Sequence, residues 1–306
     1  MNNEVIKDNR NNYFPDHFTE ENVVTLFPGN CEDFLHSIEN ESIQLIITSP
    51  PYNVGKDYEK AMPFEEYINW QDNIIKLCID KLKPEGSICW QVGNYVDKKN
   101  SNEIYPLDIY LYNSFKSRGM KLRNRIVWHF GHGLHAKNRF SGRYETILWF
   151  TKSDDYVFNL DSVRIPQKYP GKKAYKGDRA GEYSGNPLGK NPSDVWEIPN
   201  VKSQHVEKTE HPCQFPVALI NRLVLALSNE NDLVFDPFMG VGTTQVSSLL
   251  NNRRTAGCEI MPKYMEIAKS RIIETQNGTI KFREDKPVYS PPSGTSLTTN
   301  PFNKPE

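Results

Sequence analysis

Three stretches of this 306-residue chain carry side chains whose types and spacing suit chemistry. The first is Thr48, Ser49, Pro50, Pro51, Tyr52 and Asn53, directly behind the apolar run of residues 43–47. A strand that only turned would more often use Gly, Asn or Asp, which tolerate the positive φ of tight turns. Pro50 and Pro51 instead fix φ and remove two backbone donors, so the strand end offers acceptors: the Ser49 hydroxyl and successive carbonyls. Such a site suits a ligand that donates hydrogen bonds, for instance the exocyclic amino group of a nucleobase, with Tyr52 able to stack on the ring. On the hexapeptide alone, a Pro-rich turn after a core strand accounts for these residues equally well.

The second stretch, from Leu233, places Asp236 at a strand end, Gly240 and Gly242 in a turn, and Thr243 and Thr244 where a helix opens. Small residues there let a ligand approach the backbone at the carboxyl edge of a parallel strand. The loop lacks the third glycine of the dinucleotide fingerprint and the G-K-[ST] of a phosphate loop. Glu259 ends the next strand, where an acid takes both hydroxyls of a ribose; a plain surface carboxylate is the alternative. The third stretch, 121–143, contains no acid and interleaves Lys121, Arg123, His132, His135, Lys137, Arg139 and Arg143 with Trp and Phe. That is a local cationic face for phosphate. Lys168, Lys172, Lys173 and Lys176 extend it between residues 163 and 190. His129, His132 and His135 are not read as a metal site, because no carboxylate or cysteine accompanies them.

These groups need strands to carry them and loops to aim them. Residues 22–48 have β-α-β spacing, with a buried, β-branched strand ending at Thr48. Residues 63–82 repeat apolar side chains at helical spacing, and "KPEG" stops that helix before the strand "SICWQVG". A helix over roughly 105–118 and strands over 123–130 and 144–152 follow. Residues 152–205, rich in Lys, Gly, Pro, Asn and Tyr, lack periodicity and read as a loop-built insertion. An amphipathic helix from Pro216 leads into the glycine loop, and the tail from about 280 is expected to be disordered.

Composition narrows the class. Lys+Arg of 37 against Asp+Glu of 38 gives a formal net charge of −1, so a nucleic-acid role rests on local charge. Five scattered cysteines with no C-x-x-C pair argue against a disulfide framework or a zinc module and for a reducing cytoplasm. No run approaches a membrane span, and the N-terminus is polar where a signal peptide is apolar.

Together "TSPPYN", "HPCQFP" and "DPFMGVGTT" resemble the S-adenosylmethionine-dependent amino-methylating DNA methyltransferases. The order, catalytic motif before cofactor motif, is similar to the permuted beta class, over about residues 22–275. The resemblance implies an α/β, Rossmann-like, mostly parallel sheet with helices on both faces and a loop-rich DNA-recognition insertion. It divides the chain into a loosely ordered start (1–20), a catalytic half (21–150), a target-recognition insertion (151–205), a cofactor half (206–278) and a tail (279–306). It assigns catalysis to Ser49, Pro50, Pro51 and Tyr52. It assigns the cofactor to Asn30 and Cys31 near the adenine, and to His211, Pro212 and Phe215 near the methionine end. Thr48, Asp236, Phe238, Gly240, Gly242, Thr243, Thr244 and Glu259 complete that set. Cys213, Gln214 and Phe215 stand where the family usually has Thr-Gln-Lys, which leaves Cys213 without a role. S-adenosylhomocysteine is the expected product, with double-stranded DNA, a cognate restriction endonuclease and a second copy of the chain as expected partners, and neither a metal nor a membrane.

Serine at the head of the motif leans toward cytosine N4, with adenine N6 as the alternative product. A nicotinamide-dependent oxidoreductase explains the glycine loop and the acid but not "TSPPYN" or the basic stretch. An RNA amino-methyltransferase and a non-catalytic DNA-binding regulator are the other readings; the regulator predicts a broken catalytic motif, which this chain lacks.

Overall fold

The computed structural model describes residues 14–55, 59, 61–97, 100–131, 133, 135–202, 205–284 and 299. His132, the first part of the N-terminal segment and most of the tail expected to be disordered lie outside the described residues. In chain order the elements are β1 (Val24–Phe27), α1 (Cys31–Ser37), β2 (Ile43–Thr48), α2 (Phe64–Lys81), β3 (Leu82–Val92), β4 (Asn94–Asp97), β5 (Glu103–Pro106) and α3 (Leu107–Lys116). There follow β6 (Lys121–His129), β7 (Tyr144–Thr151), β8 (Val195–Glu197), α4 (Val217–Leu227), β9 (Leu233–Asp236), α5 (Thr243–Leu250), β10 (Arg254–Cys258) and α6 (Pro262–Gln276).

Eight strands form one sheet in the order β1-β10-β9-β2-β3-β7-β6-β8, and β4 and β5 form a separate hairpin. The five strands from β1 to β3 are parallel, β7 is antiparallel to both its neighbours, and β8 is parallel to β6. The buried strands read as continuous apolar runs because both faces are covered. Their period of two sorts the side chains: Leu45, Ile47, Cys89, Ile147 and Trp149 pack with α4. Ile46, Ile88, Trp90, Leu148 and Phe150 pack with α1, α2 and α3 on the other face.

The chain after β2 enters α2 on one face, whereas the chain after β9 enters α5, which packs on α4 beyond the other face. The neighbouring ends of β2 and β9 therefore form a topological switch point, where open α/β sheets leave a crevice.

Two boundaries differ from the sequence expectation. "KPEG" does not precede a strand but lies within β3: Ile43 pairs with Leu82 and Leu45 with Ser87, so the chain bulges between those pairs. A bulge tolerates Pro84 because no ladder donor is required there. Second, the loop-rich segment between β7 and α4 contributes β8 to the edge of the main sheet beside β6, through only three residues. No helix among the described residues is long and apolar enough to cross a membrane.

Candidate active site

A cavity of about 380 Å³ opens at the switch point, within the size range of small-molecule sites. Its wall is built from the loops that leave β1, β2, β9 and β10, together with the chain before α4. Thr48 and Asp236, 188 positions apart in sequence, meet here because β2 and β9 are adjacent strands.

Asp236 holds the two motif loops together. Its Oδ1 accepts from the Thr48 hydroxyl at 2.7 Å and from the Phe238 N–H at 3.0 Å. Its Oδ2 accepts from the Thr244 hydroxyl at 2.8 Å. Burial pushes this carboxyl up to about 6, against the three donors that favour its charge. Asp236 thus fixes the end of β2 to the end of β9 and the start of α5. Thr48 and Thr244, assigned to the cofactor from sequence, serve that clamp from behind the lining, and Gly242 and Pro212 also lie outside it.

The glycine turn is shaped by close approach. Gly240 has φ +53°, and a Cβ there would sit 3.3 Å from His211 Nε2. His211 Nδ1 accepts from the Cys213 N–H at 3.2 Å, which leaves the ring proton on Nε2, facing the turn. Burial pushes this imidazole down to about 4, with Lys208 adding to the effect, so it is neutral near pH 7. Gln214, buried, ties the loop by accepting from the Thr209 hydroxyl at 2.8 Å and donating to the Glu207 carbonyl at 2.7 Å. That bracing leaves Cys213 exposed at the rim, a free thiol like the other four.

Glu259 stands across the cavity at the end of β10. Burial pushes its carboxyl up to about 7, although the backbone N–H groups of Met261 and Gly240 favour the charged form. Asn30 caps α1, accepting from the Glu32 N–H at 3.1 Å, and Cys31 beside it is buried, its thiol pushed up to about 12. Phe238 packs against Trp70 at 5.5 Å between ring centres and so closes one flank.

The Ser49 end is more elaborate than its sequence suggests. Ser49 Oγ lies 3.0 Å from Tyr52 Oη, which donates to Gln91 Oε1 at 2.7 Å. Tyr67 Oη occupies the Pro51 carbonyl at 2.9 Å. Among the described residues no hydrogen bond engages the Pro50 carbonyl. Asn53, at φ +58°, exchanges two side-chain hydrogen bonds with the Met62 backbone, and Glu59 accepts from the N–H groups of Asn53 and Val54. Asn53, Val54, Glu59 and Met62 are thereby tied together at the cavity wall. Gly93 makes room for the aromatic ring: a Cβ there would lie 3.2 Å from Tyr52 Cε2.

Sequence reasoning missed Gln91, Gly93 and Glu145 altogether. Gln91 and Gly93 lie at the carboxyl end of β3 and Glu145 at the amino end of β7, so their one signal was polar or small residues at the ends of strands that are otherwise apolar.

The cationic residues separate into two groups. Lys121 and Arg123 begin β6, at the sheet edge opposite the cavity, and both pair with Asp154. Arg123 also lies over the Tyr156 ring at 4.4 Å. Both side chains are thus drawn onto the exposed carboxylate of Asp154. Lys137, Arg139 and Arg143 occupy the β6–β7 loop, which leaves the sheet at the same edge as the cavity; His135 approaches Arg143 at 3.5 Å. Lys168, Lys172, Lys173 and Lys176 are exposed on the segment that leads to β8.

Comparison with known proteins agrees with this geometry. Residues 43–270 match the family model described as DNA methylase, N6_N4_Mtase. The chain is 49% identical over 257 residues to the type II methyltransferase M.BglII of Bacillus subtilis, covering 84% of this chain and 71% of that one. Its fold matches the PvuII DNA methyltransferase (cytosine-N4-specific), with TM-score 0.66 and 22% identity over 86% of this chain and 94% of that one. It also matches a DNA modification methylase of Thermus thermophilus, solved in complex with S-adenosyl-L-methionine, with TM-score 0.60 and 24% identity over 83% of this chain and 94% of that one. This chain therefore belongs to the N6/N4 family of DNA methylases and is a DNA methyltransferase.

Proposed function

We propose that the enzyme transfers a methyl group from S-adenosylmethionine to the N4 amino group of a cytosine flipped out of duplex DNA, at a short defined sequence. The observation that carries this reading is the acceptor pair at the end of β2: Ser49 Oγ, and a Pro50 carbonyl that no described donor engages. The structural match to a cytosine-N4-specific enzyme and the serine at the motif's head support cytosine. Adenine N6 presents the same amino group to the same acceptors and is the competing product.

The residues fit the cofactor. Glu259 would take the ribose hydroxyls, Asn30 and Cys31 would lie along the adenine, and His211, Phe215 and the Gly240 turn would flank the methionine end. When bound, S-adenosylmethionine supplies an electrophilic methyl on a sulfonium. The protein's part is positioning: Ser49 and the Pro50 carbonyl accept the two amino hydrogens and turn the nitrogen lone pair toward the methyl. Tyr52 offers its ring face to the extruded base, offsetting part of the few kcal/mol that unstacking costs. Lys137, Arg139, Arg143 and the lysines at 168, 172, 173 and 176 are proposed to meet phosphate, with residues 151–205 reading the sequence. A cognate restriction endonuclease is the expected partner, as the type II name of the relative suggests.

Tritium transfer from labelled cofactor into duplex DNA, with calorimetry of cofactor binding, tests the reading. Ser49→Ala is expected to lose most transfer while keeping cofactor affinity. Full activity in that variant would overturn the role of the acceptor pair.

A further inference from the structure

A chain of four side chains runs from Ser49 to a half-buried carboxylate that no motif contains. Ser49 Oγ lies 3.0 Å from Tyr52 Oη, Tyr52 Oη lies 2.7 Å from Gln91 Oε1, and Gln91 Nε2 donates to Glu145 Oε2. Gln91 is 2% exposed on β3, and Glu145 is the second residue of β7. Two adjacent antiparallel strands therefore hold the far end of the chain rigidly.

Each link has a direction. An ionised carboxylate only accepts, so it draws the Nε2 side of Gln91 toward itself and leaves Oε1 facing Tyr52. Oε1, at 2.7 Å, takes the single phenolic proton in preference to Glu145 Oε2, which lies 3.5 Å from Tyr52 Oη. Having given that proton, Tyr52 Oη can only accept from Ser49, and this turns the serine's one O–H into the protein. Ser49 then shows the cavity lone pairs alone.

We propose that Glu145 is a positioning residue that sets the direction of this chain, so that Ser49 meets the target amino group as an acceptor and never as a donor. The proposal rests on the reading of Ser49 as the amino-binding group. It explains how a hydroxyl, which by itself can donate or accept, performs a role that needs acceptance only. It also predicts a proton switch. A protonated Glu145 can donate, which permits Gln91 to turn over and reverses every link to Ser49.

Burial raises the Glu145 carboxyl, while Gln91 and Tyr52 favour its charged form. The active form is the ionised one, so turnover is present above the raised pKa and is lost as pH falls through it. Of the groups around Glu145, Tyr52 stays neutral because burial holds its phenol far above the ordinary value, and Cys213 acts on Tyr52 only by charge. On β6 the cross-strand partner is Trp128, with His129 one step along and 4.0 Å from Glu197 of β8. Arg143 lies on the chain entering β7.

The kcat for methyl transfer to plasmid DNA, at saturating S-adenosylmethionine and measured from pH 5 to 9, tests the proposal. Glu145→Gln is expected to lower kcat about tenfold, the scale of one misdirected hydrogen bond, with unchanged cofactor affinity and unfolding midpoint. The acid limb of the profile should disappear in this variant and persist in His129→Gln. Tyr52→Phe cuts the chain at its centre, so adding Glu145→Gln to it should cost nothing further. Losses that multiply in the double variant, or wild-type kcat with an intact acid limb in Glu145→Gln, would overturn the proposal. If Glu145→Gln fails to fold, Tyr52→Phe decides alone: its own acid limb must vanish, and persistence refutes the chain. A wild-type protein that transfers no methyl to DNA overturns the underlying reading, whereas an active wild type with an unchanged Glu145→Gln overturns only this step.

Discussion

Replacing Glu259 by glutamine should make the free protein more stable and the cofactor bind worse, and both effects follow from one buried carboxyl. Burial pushes Glu259 from 4.5 up to about 7. Because the folded-state value is raised, the stability this group contributes is fully present below its unfolded value and is lost as pH rises through about 7. Fully expressed, that difference corresponds to about 3 kcal/mol, and solvent at the partly open cavity face reduces it to roughly 1–2 kcal/mol. Glutamine stays neutral at every pH and keeps an oxygen for the Met261 N–H, which now donates to Glu259 Oε1 at 2.7 Å. Urea unfolding of the cofactor-free protein should therefore show Glu259→Gln more stable than wild type by about 1–2 kcal/mol at pH 8 and equal to it at about pH 4. Calorimetry should show the opposite for S-adenosylmethionine. Wild-type affinity should rise with pH through about 7, with proton release on binding, while the variant binds more weakly and without pH dependence. Equal stability at pH 8 would show that the carboxyl is not desolvated, and unchanged affinity would remove it from the ribose.

Other consequences follow from single contacts. Gly93→Ala, whose Cβ would lie 3.2 Å from the Tyr52 ring, should lower kcat severalfold in methyl-transfer assays without altering cofactor affinity. Thr48→Val removes the 2.7 Å hydrogen bond to Asp236 and should cost about 1–3 kcal/mol of stability in urea unfolding, since it leaves a buried acceptor short of a donor. Removing the charges of Lys137 and Arg139 should reduce the log–log salt slope of DNA binding by about 0.9 per lost phosphate contact. Lys121→Ala should leave that slope unchanged, because Asp154 already engages this lysine; equal slopes in all three variants would remove the β6–β7 loop from the DNA surface.

The ends of the parallel strands were the legible part of the sequence. Buried strands with β-branched runs, followed by chemically unusual loops, located Ser49, Asp236, the Gly240 turn and Glu259, and the cavity gathers all four. Their division of labour was not legible. Asp236 reads as a ligand-facing acid, yet three internal donors surround it, because a clamp between neighbouring strand ends needs the same residue type at the same place. Glu145 and Gln91 were not placed together because the register of β7 on β3, between residues 54 positions apart, decides their meeting, and no local pattern encodes it. Charge alone did not reveal placement: an acid-free run of residues 121–143 reads as one patch, and β6 carries its two ends to opposite ends of the sheet. The "KPEG" stretch shows the limit of punctuation signals, since a Pro-Gly pair marks a bulge as readily as a stop.

Mass spectrometry of nucleosides from plasmid DNA incubated with the enzyme and S-adenosylmethionine tests the central claim most directly. The acceptor pair at Ser49 and Pro50 predicts N4-methylcytosine, absent when Ser49→Ala replaces the wild type. N6-methyladenine as the sole product would overturn the cytosine assignment and leave amino methylation standing. C5-methylcytosine, or no methylated nucleoside at all, would contradict the account itself.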